Sequence, residues 1–334
     1  MKMSRTKYLL PILVLLIAGC GSCSKAKDNS AFIPQDSIPS AKDDSKGEWS
    51  EIEISDGLKY KSFRGYDETS GANQIVSVLD VDLNSPRYEV KFTYHTPGVV
   101  TSDVMKETGA VGVVNAAYEL TSCYIKIDGE VMSAIPNDKV MDTGVPQWKS
   151  EAAVYTDGVR GVKIEFSAKS CNRDVEATRA VYNRSTESNI FSSAPMLIDN
   201  FETVGAHFVP DGYSQEQLET LNYEDPIRHQ GVRHPRTAVA LTADNHFLMV
   251  VVDGRRSGIS EGMNARELTF FLKTNFNPQY ALNLDGGGSS TLCVAGQGDP
   301  DTHVVNYPTD NNVFDHSGER RVSTHICIID TNKN

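Results

Sequence analysis

The chain has 334 residues, a net charge of −12, 39% hydrophobic and 23% charged residues. That length fits one large domain or two ordinary ones, and the composition is that of a globular protein rather than a disordered or fibrous one. The acidic balance argues against a nucleic-acid binder, which would carry a basic face, and requires local arginines to hold any anionic substrate.

In chain order, Lys2, Arg5 and Lys7 precede an apolar run over residues 9–18 that is too short for a permanent membrane anchor. The run ends in "LIAGC", which resembles a bacterial lipoprotein cleavage site. This predicts a signal peptide over 1–19 and a lipid on Cys20; an ordinary secretion signal cleaved nearby is the alternative. Either way the expectation is an exported protein, attached to a membrane by its N-terminal lipid alone. Residues 20–49 are Ser, Lys, Asp and Pro with few large apolar residues, which reads as a flexible tether. A single domain over 50–334 follows, with a loop-rich stretch between 199 and 235.

Strands dominate that domain. "QIVSVLDVDL" (74–83) and "YEVKFTY" (88–94) alternate apolar and polar residues around the turn "NSPR". "VGVVNAAY" (111–118) is more continuously apolar, so it reads as a central strand. Hairpins are predicted over 153–166 and 236–254, and 320–330 forms a last strand. Helices are predicted over 101–109, capped by Ser102 or Asp103 and stopped by Gly109, over 214–221, and over 264–276. In the last, Asn264 and Glu267 form a capping box, while Leu268, Phe271 and Leu272 share a face. The fold class is α+β: mixed, largely antiparallel sheets flanked by a few helices.

Cys123, Cys171, Cys293 and Cys327 show no CxxC spacing and no adjacent histidine, so no zinc site is expected. Cys23 falls in the tether. Cys123, Cys171, Cys293 and Cys327 are open to disulfide pairing or to burial as thiols.

The stretch with the clearest chemistry is "ALNLDGGGSSTL" (281–292). Asp285 stands where a buried strand ends, a rigid place for a reactive carboxylate. Gly286, Gly287 and Gly288 let backbone approach a ligand, their N–H groups can form an anion nest, and Ser289 and Thr291 add hydroxyl donors. A plain turn with Asp285 accepting backbone hydrogen bonds is the bland alternative. No lysine follows the glycines as a P-loop requires, Thr291 breaks a GxSxG elbow, and no GxGxxG opens a helix here. "VVVDGR" (250–255) repeats the pattern with Asp253 and Gly254, and "HPRTAV" (234–239) sets Arg236 at the start of a strand. Asp253 and Arg236 could equally be a structural ion pair.

The series PRTAV, VDGR, Glu267, ALNLDGGGSST and a late Arg320 resembles the phosphodiester glycosidase family. Arg236, Asp253, Gly254, Asp285, Gly286, Gly287, Gly288 and Ser289 match its signature positions, and Asn115, Tyr118 and Arg320 match further ones. Ala116 and Ala117, and Ser193 and Ala194, stand where glycines are usual. The resemblance implies hydrolysis of the glycosidic C1–O bond in a sugar-1-phosphodiester, with release of sugar and a phosphomonoester. Asp285, Asp253 and Arg236 would be catalytic, while Asn115, Tyr118, Gly286, Gly287, Gly288, Ser289 and Arg320 would bind substrate. The partner is a sugar-phosphate small molecule or glycan, with no nucleic acid. No cofactor or metal site is expected, although two aspartates and hydroxyls would suit a divalent cation. Glu267 is explained by its cap, Arg255 looks peripheral, His234 could serve as acid or base, and Cys293 lies packed in a strand. Competing readings are a phosphodiesterase that cuts the P–O bond and a non-catalytic glycan- or cell-wall-binding lipoprotein.

Overall fold

The computed structural model describes residues 46–118, 122–135, 148–167, 175–207, 212–223 and 225–333. The proposed signal peptide, Cys20, Cys23, Cys171 and most of the tether lie outside the described residues. The strands, in chain order, are β1 (Glu48–Ser55), β2 (Leu58–Asp67), β3 (Ala72–Asp82), β4 (Tyr88–Val99), β5 (Gly112–Asn115), β6 (Tyr124–Ile127), β7 (Glu130–Ala134) and β8 (Ala152–Thr156). They continue with β9 (Val162–Phe166), β10 (Asn189–Ser193), β11 (Met196–Asp199), β12 (Arg236–Leu241), β13 (His246–Val252), β14 (Tyr280–Asn283), β15 (Leu292–Val294) and β16 (Val322–Asp330). The helices are α1 (Thr101–Thr108), α2 (Val175–Arg184), α3 (Gln215–Glu219), α4 (Pro226–Gly231) and α5 (Ala265–Phe276).

Three sheets result: β1-β2-β3-β13-β12-β14-β11, β7-β6-β10-β8-β9 and β15-β5-β16-β4. Every strand pairing within them is antiparallel. The α+β expectation therefore holds, and β5 is interior to its sheet as its apolar run predicted.

The seven-stranded sheet is covered on both faces. Leu79, Val239, Met249, Val251 and Leu282 face the other two sheets and pack in one cluster with Val114, Val154, Phe191 and Ile326. Val78, Ala238, Val250, Val252 and Ala281 face the other way, against Leu268, Phe271 and Leu272 of α5. Double burial is why "LMVVV" lacks alternation, and each large side chain so buried contributes about 2 kcal/mol.

α5 keeps its predicted start: the Asn264 side chain accepts from Glu267 N, and Glu267 accepts in return from Asn264 N. α1 differs. Neither Ser102 nor Asp103 caps it, and its N-cap Val100 makes no side-chain bond. Glu319, remote in sequence, accepts from Ser102 N at 2.9 Å and from Ser102 Oγ at 2.5 Å, so a tertiary carboxylate takes over the local cap's task. The domain also begins earlier than residue 50. Lys46 bridges to Tyr66, and Trp49 packs among Phe63, Phe271 and Phe276.

The register positions the site. Arg236 pairs with Val252 and Ala238 with Asn283, so β12 starts between the ends of β13 and β14. Asp253 and Asp285 thus leave the same end of one sheet, with Arg236 between them.

Candidate active site

Asp285 is held through its backbone. Its N–H donates to Ala116 O at 2.9 Å, and its carbonyl accepts from Asn115 Nδ2 at 2.7 Å. Asn115 Oδ1 accepts from Thr237 Oγ1 at 2.8 Å and from Thr291 N at 3.1 Å. This buried amide knots the ends of β5, β12 and β14 together. Asp285 itself, with Gly286 and Gly287, stays partly exposed.

The glycine turn is tight for definite reasons. A Cβ on Gly286 would lie 2.8 Å from Pro235 O, and Gly287 has φ +62. Its N–H groups are largely consumed inside the fold: Gly287 N donates to Pro235 O, Ser289 N to Gly286 O and Ser290 N to Gly287 O. Ser289 and Thr291 are buried. The anion nest expected from the sequence is therefore mostly closed, and cationic side chains stand there instead. Arg255 Nη2 lies 3.0 Å from the position of a Cβ on Gly287, and Arg320 Nη2 lies 2.6 Å from that of Gly288.

Those two guanidinium groups differ electrostatically. Burial lowers the pKa of Arg255, and the nearby charge of Arg320 lowers it further. Arg255 Nη1 donates to Thr309 Oγ1 at 3.3 Å, and no ion pair involves Arg255 among the described residues. Burial opposes the charge on Arg320 too, but the hydrogen bond and charge of Asp310 and the charge of Asp285 outweigh it, so its pKa is raised. Arg320 Nη1 also reaches Ser289 Oγ at 3.4 Å. Sequence reasoning sets Arg255 aside as peripheral and does not single out Asp310. The signal for Arg255 is its place directly after a strand-end Asp-Gly, where it adopts φ +62, a conformation unusual for a side chain of its size.

Asp253 and Arg236, expected to be catalytic, lie beneath the surface. Each is only 1% exposed. Asp253 Oδ1 accepts from Asn306 Nδ2 at 3.0 Å and from Tyr307 N at 2.9 Å, while Oδ2 is buried with no hydrogen-bond partner among the described residues. Burial pushes this carboxyl up to about 6, against those two hydrogen bonds. Arg236 Nε donates to Met263 O, and its Nη2 donates to His229 O and Val232 O. Because Arg236 pairs with Val252, Asp253 one residue later projects from the opposite sheet face. They form no ion pair, and each is bound to neighbouring backbone.

Tyr118 and Lys149 lie beside β14, which ends just before the turn. Tyr118 OH donates to Ala194 O and accepts from Asn283 Nδ2, while Lys149 Nζ lies 4.8 Å from the Tyr118 ring centroid. Burial lowers His234 to about 3, helped by Arg236, Arg255 and Arg228, which keeps it neutral and unsuited to general acid work near pH 7. Arg233 binds Glu267 at 2.6 Å, so Glu267 keeps its structural role. Cys293 and Cys327 are buried free thiols, and Cys123 is buried with its thiol directed to Lys149 O. Among the described residues no group of three or more His, Cys, Asp or Glu could hold a metal ion.

The sequence profile of phosphodiester glycosidases matches residues 108–329. The chain belongs to the phosphodiester glycosidase family. The family match spans Asn115, Arg255, Asp285, Asp310 and Arg320 alike. A curated relative in Bos taurus, N-acetylglucosamine-1-phosphodiester alpha-N-acetylglucosaminidase, is 30% identical over 142 residues, covering 42% of this chain and 24% of the relative. The chain thus spans about a quarter of the length of the curated relative it matches. The fold is shared with the catalytic domain of the zebrafish enzyme of that name, auto-inhibited by its pro-peptide: TM-score 0.52, 20% identity, covering 85% of this chain and 88% of that one. A Synechocystis protein aligns with TM-score 0.50 and 15% identity over 84% of this chain and 63% of its own. A Burkholderia pseudomallei K96243 protein whose name calls it exported aligns with TM-score 0.51 and 12% identity over 78% and 74%. No helix of the described residues is long and apolar enough to cross a membrane.

Proposed function

We propose that this phosphodiester glycosidase family member hydrolyses the C1–O bond of a sugar-1-phosphodiester, such as an N-acetylglucosamine-1-phosphate diester, releasing sugar and a phosphomonoester. The observation that carries the reading is the accessible Asp285 beside a turn crossed by Arg255 and Arg320. The leaving phosphomonoester is a stable anion with a second pKa of about 6, so it needs little proton donation. What it needs is charge stabilisation, which Arg255 and Arg320 are placed to give. As the C1–O bond breaks, the ring gains oxocarbenium character, which the Asp285 carboxylate would stabilise or attack. Asn115 would act through Asp285 by fixing its backbone, and Asp253 by holding the 306–307 segment. Tyr118 and the neighbouring Lys149 would border the sugar.

The molecule would work outside the cytoplasm. The basic, apolar and "LIAGC" sequence at the N-terminus supports export with lipid on Cys20.

Product analysis tests the reaction. Purified protein incubated with such a diester is expected to release free sugar and phosphomonoester in equal amounts. Sugar phosphate as product would instead mean P–O cleavage, and no product at all would mean a binder. Asp285→Asn is expected to cut kcat by roughly a thousandfold or more, with only a few-fold change in substrate affinity.

A further inference from the structure

One carboxylate stands where the proposed reaction requires a phosphate. Asp310 Oδ1 accepts from Arg320 Nε at 2.7 Å and lies 2.5 Å from Nη2. The same oxygen is 2.8 Å from the position of a Cβ on Gly288, and Arg320 Nη2 is 2.6 Å from it. Carboxylate and guanidinium therefore meet directly over the turn. The charge of Asp310 also acts on Arg255 at the adjoining Gly287. Both partners stay half exposed, 45% for the Arg320 side chain and 38% for that of Asp310, so the pair lies within reach of an incoming anion. Asp310 is carried on the 307–320 loop, fastened by its own N–H to Gly318 O at 3.1 Å. Its backbone position therefore does not depend on the contact with Arg320.

We propose that Asp310 is a placeholder for the substrate's phosphate: its carboxylate engages Arg320 until a phosphodiester displaces it. The inference rests on the phosphate assignment made above and adds a built-in competitor to that site. A carboxylate and a phosphodiester are both monoanions that suit the same forked donor. The carboxylate keeps Arg255 and Arg320 from facing each other uncompensated, and it sets an affinity threshold that weak anions do not pass. The competing idea, that Asp310 merely orients Arg320, makes the opposite prediction on removal of the charge.

Calorimetric titration of inorganic phosphate into the wild type, Asp310→Asn and Asp310→Ser separates the two, with thermal unfolding as the check on folding. The placeholder predicts phosphate binding about three- to fivefold tighter in both variants, the range expected for an exposed ion pair. With a diester substrate the gain appears in KM rather than in kcat. Phosphate binding that is unchanged or weaker in the variants overturns the inference. Failure of the glycosidase reading shows elsewhere, as absence of sugar release from the wild type whatever the phosphate affinities are.

Discussion

Arg236, at the start of β12, is sealed in and donates to the carbonyls of Met263, His229 and Val232. Arg255, just past the end of the neighbouring β13, faces the glycine turn and donates to the Thr309 hydroxyl. Truncating Arg236 leaves buried carbonyls without donors and opens a cavity, so Arg236→Ala is expected to lose more than about 3 kcal/mol in urea unfolding. Arg255→Ala relieves a left-handed backbone only slightly and breaks no buried network. Its stability should stay within about 0.5 kcal/mol of the wild type, while KM for an anionic diester rises roughly tenfold. Equal stability loss in both variants would contradict the division of labour. Each sits by an apolar strand, and the elements packed against them assign the roles.

At the scale of elements, the sequence is legible where the pattern is local. The 236–254 hairpin, the capped α5 and β14 form in succession as predicted, and α3 gains the Ser214 capping box its sequence allows. The edge strand β1 and its neighbour β2 are not among the predicted strands: "EIEIS" and "LKYK" do alternate, but the runs are short and break at Asp56 and Ser62. The pairing of β3 with β13 is equally invisible, since register between distant strands is set by tertiary packing. The same limit applies to the site. Asp285 is readable as a strand-end carboxylate, but Asp310 is not, because its approach to Gly288 depends on how a loop folds back. The packing of turn against strand gives a test: in Gly286→Ala the new methyl would meet Pro235 O at 2.8 Å, against backbone that cannot swing aside. The turn must shift away from β12, with an expected loss of about 1–3 kcal/mol and roughly tenfold or more in kcat/KM. Wild-type activity in this variant would show that the turn tolerates displacement and does not position Asp285.

For the whole molecule, buried ionisable groups pull stability in opposite directions with pH. His234 and His325 are lowered to about 3 and His229 well below its ordinary 6.5, chiefly by burial. A depressed histidine pKa means the unfolded chain binds the extra proton, so these three cost stability as pH falls below 6.5. Asp253 and Glu151 act in reverse. Burial raises Asp253 from 3.8 to about 6 and Glu151, which accepts from Met196 N, from 4.5 to about 7. Their contribution is complete below their unfolded values and is lost as pH rises through about 6 and 7. Near pH 5 the two carboxyls oppose the histidine effect, so stability falls with decreasing pH less steeply than the three histidines alone would dictate. Replacing both carboxyls by amides, Asp253→Asn with Glu151→Gln, removes the opposing pair without removing the histidines. The amide introduced by Glu151→Gln keeps an acceptor for Met196 N, so the link between the start of β8 and β11 survives. Urea unfolding at about pH 4.5 to 5.5 is then expected to depend on pH more steeply than in the wild type, while near pH 8 the double variant gains stability over the wild type. A slope that stays at the wild-type value would mean that the carboxyls are ionised in the folded protein, and that the burial of Asp253 against Asn306 and Tyr307 does not hold in solution.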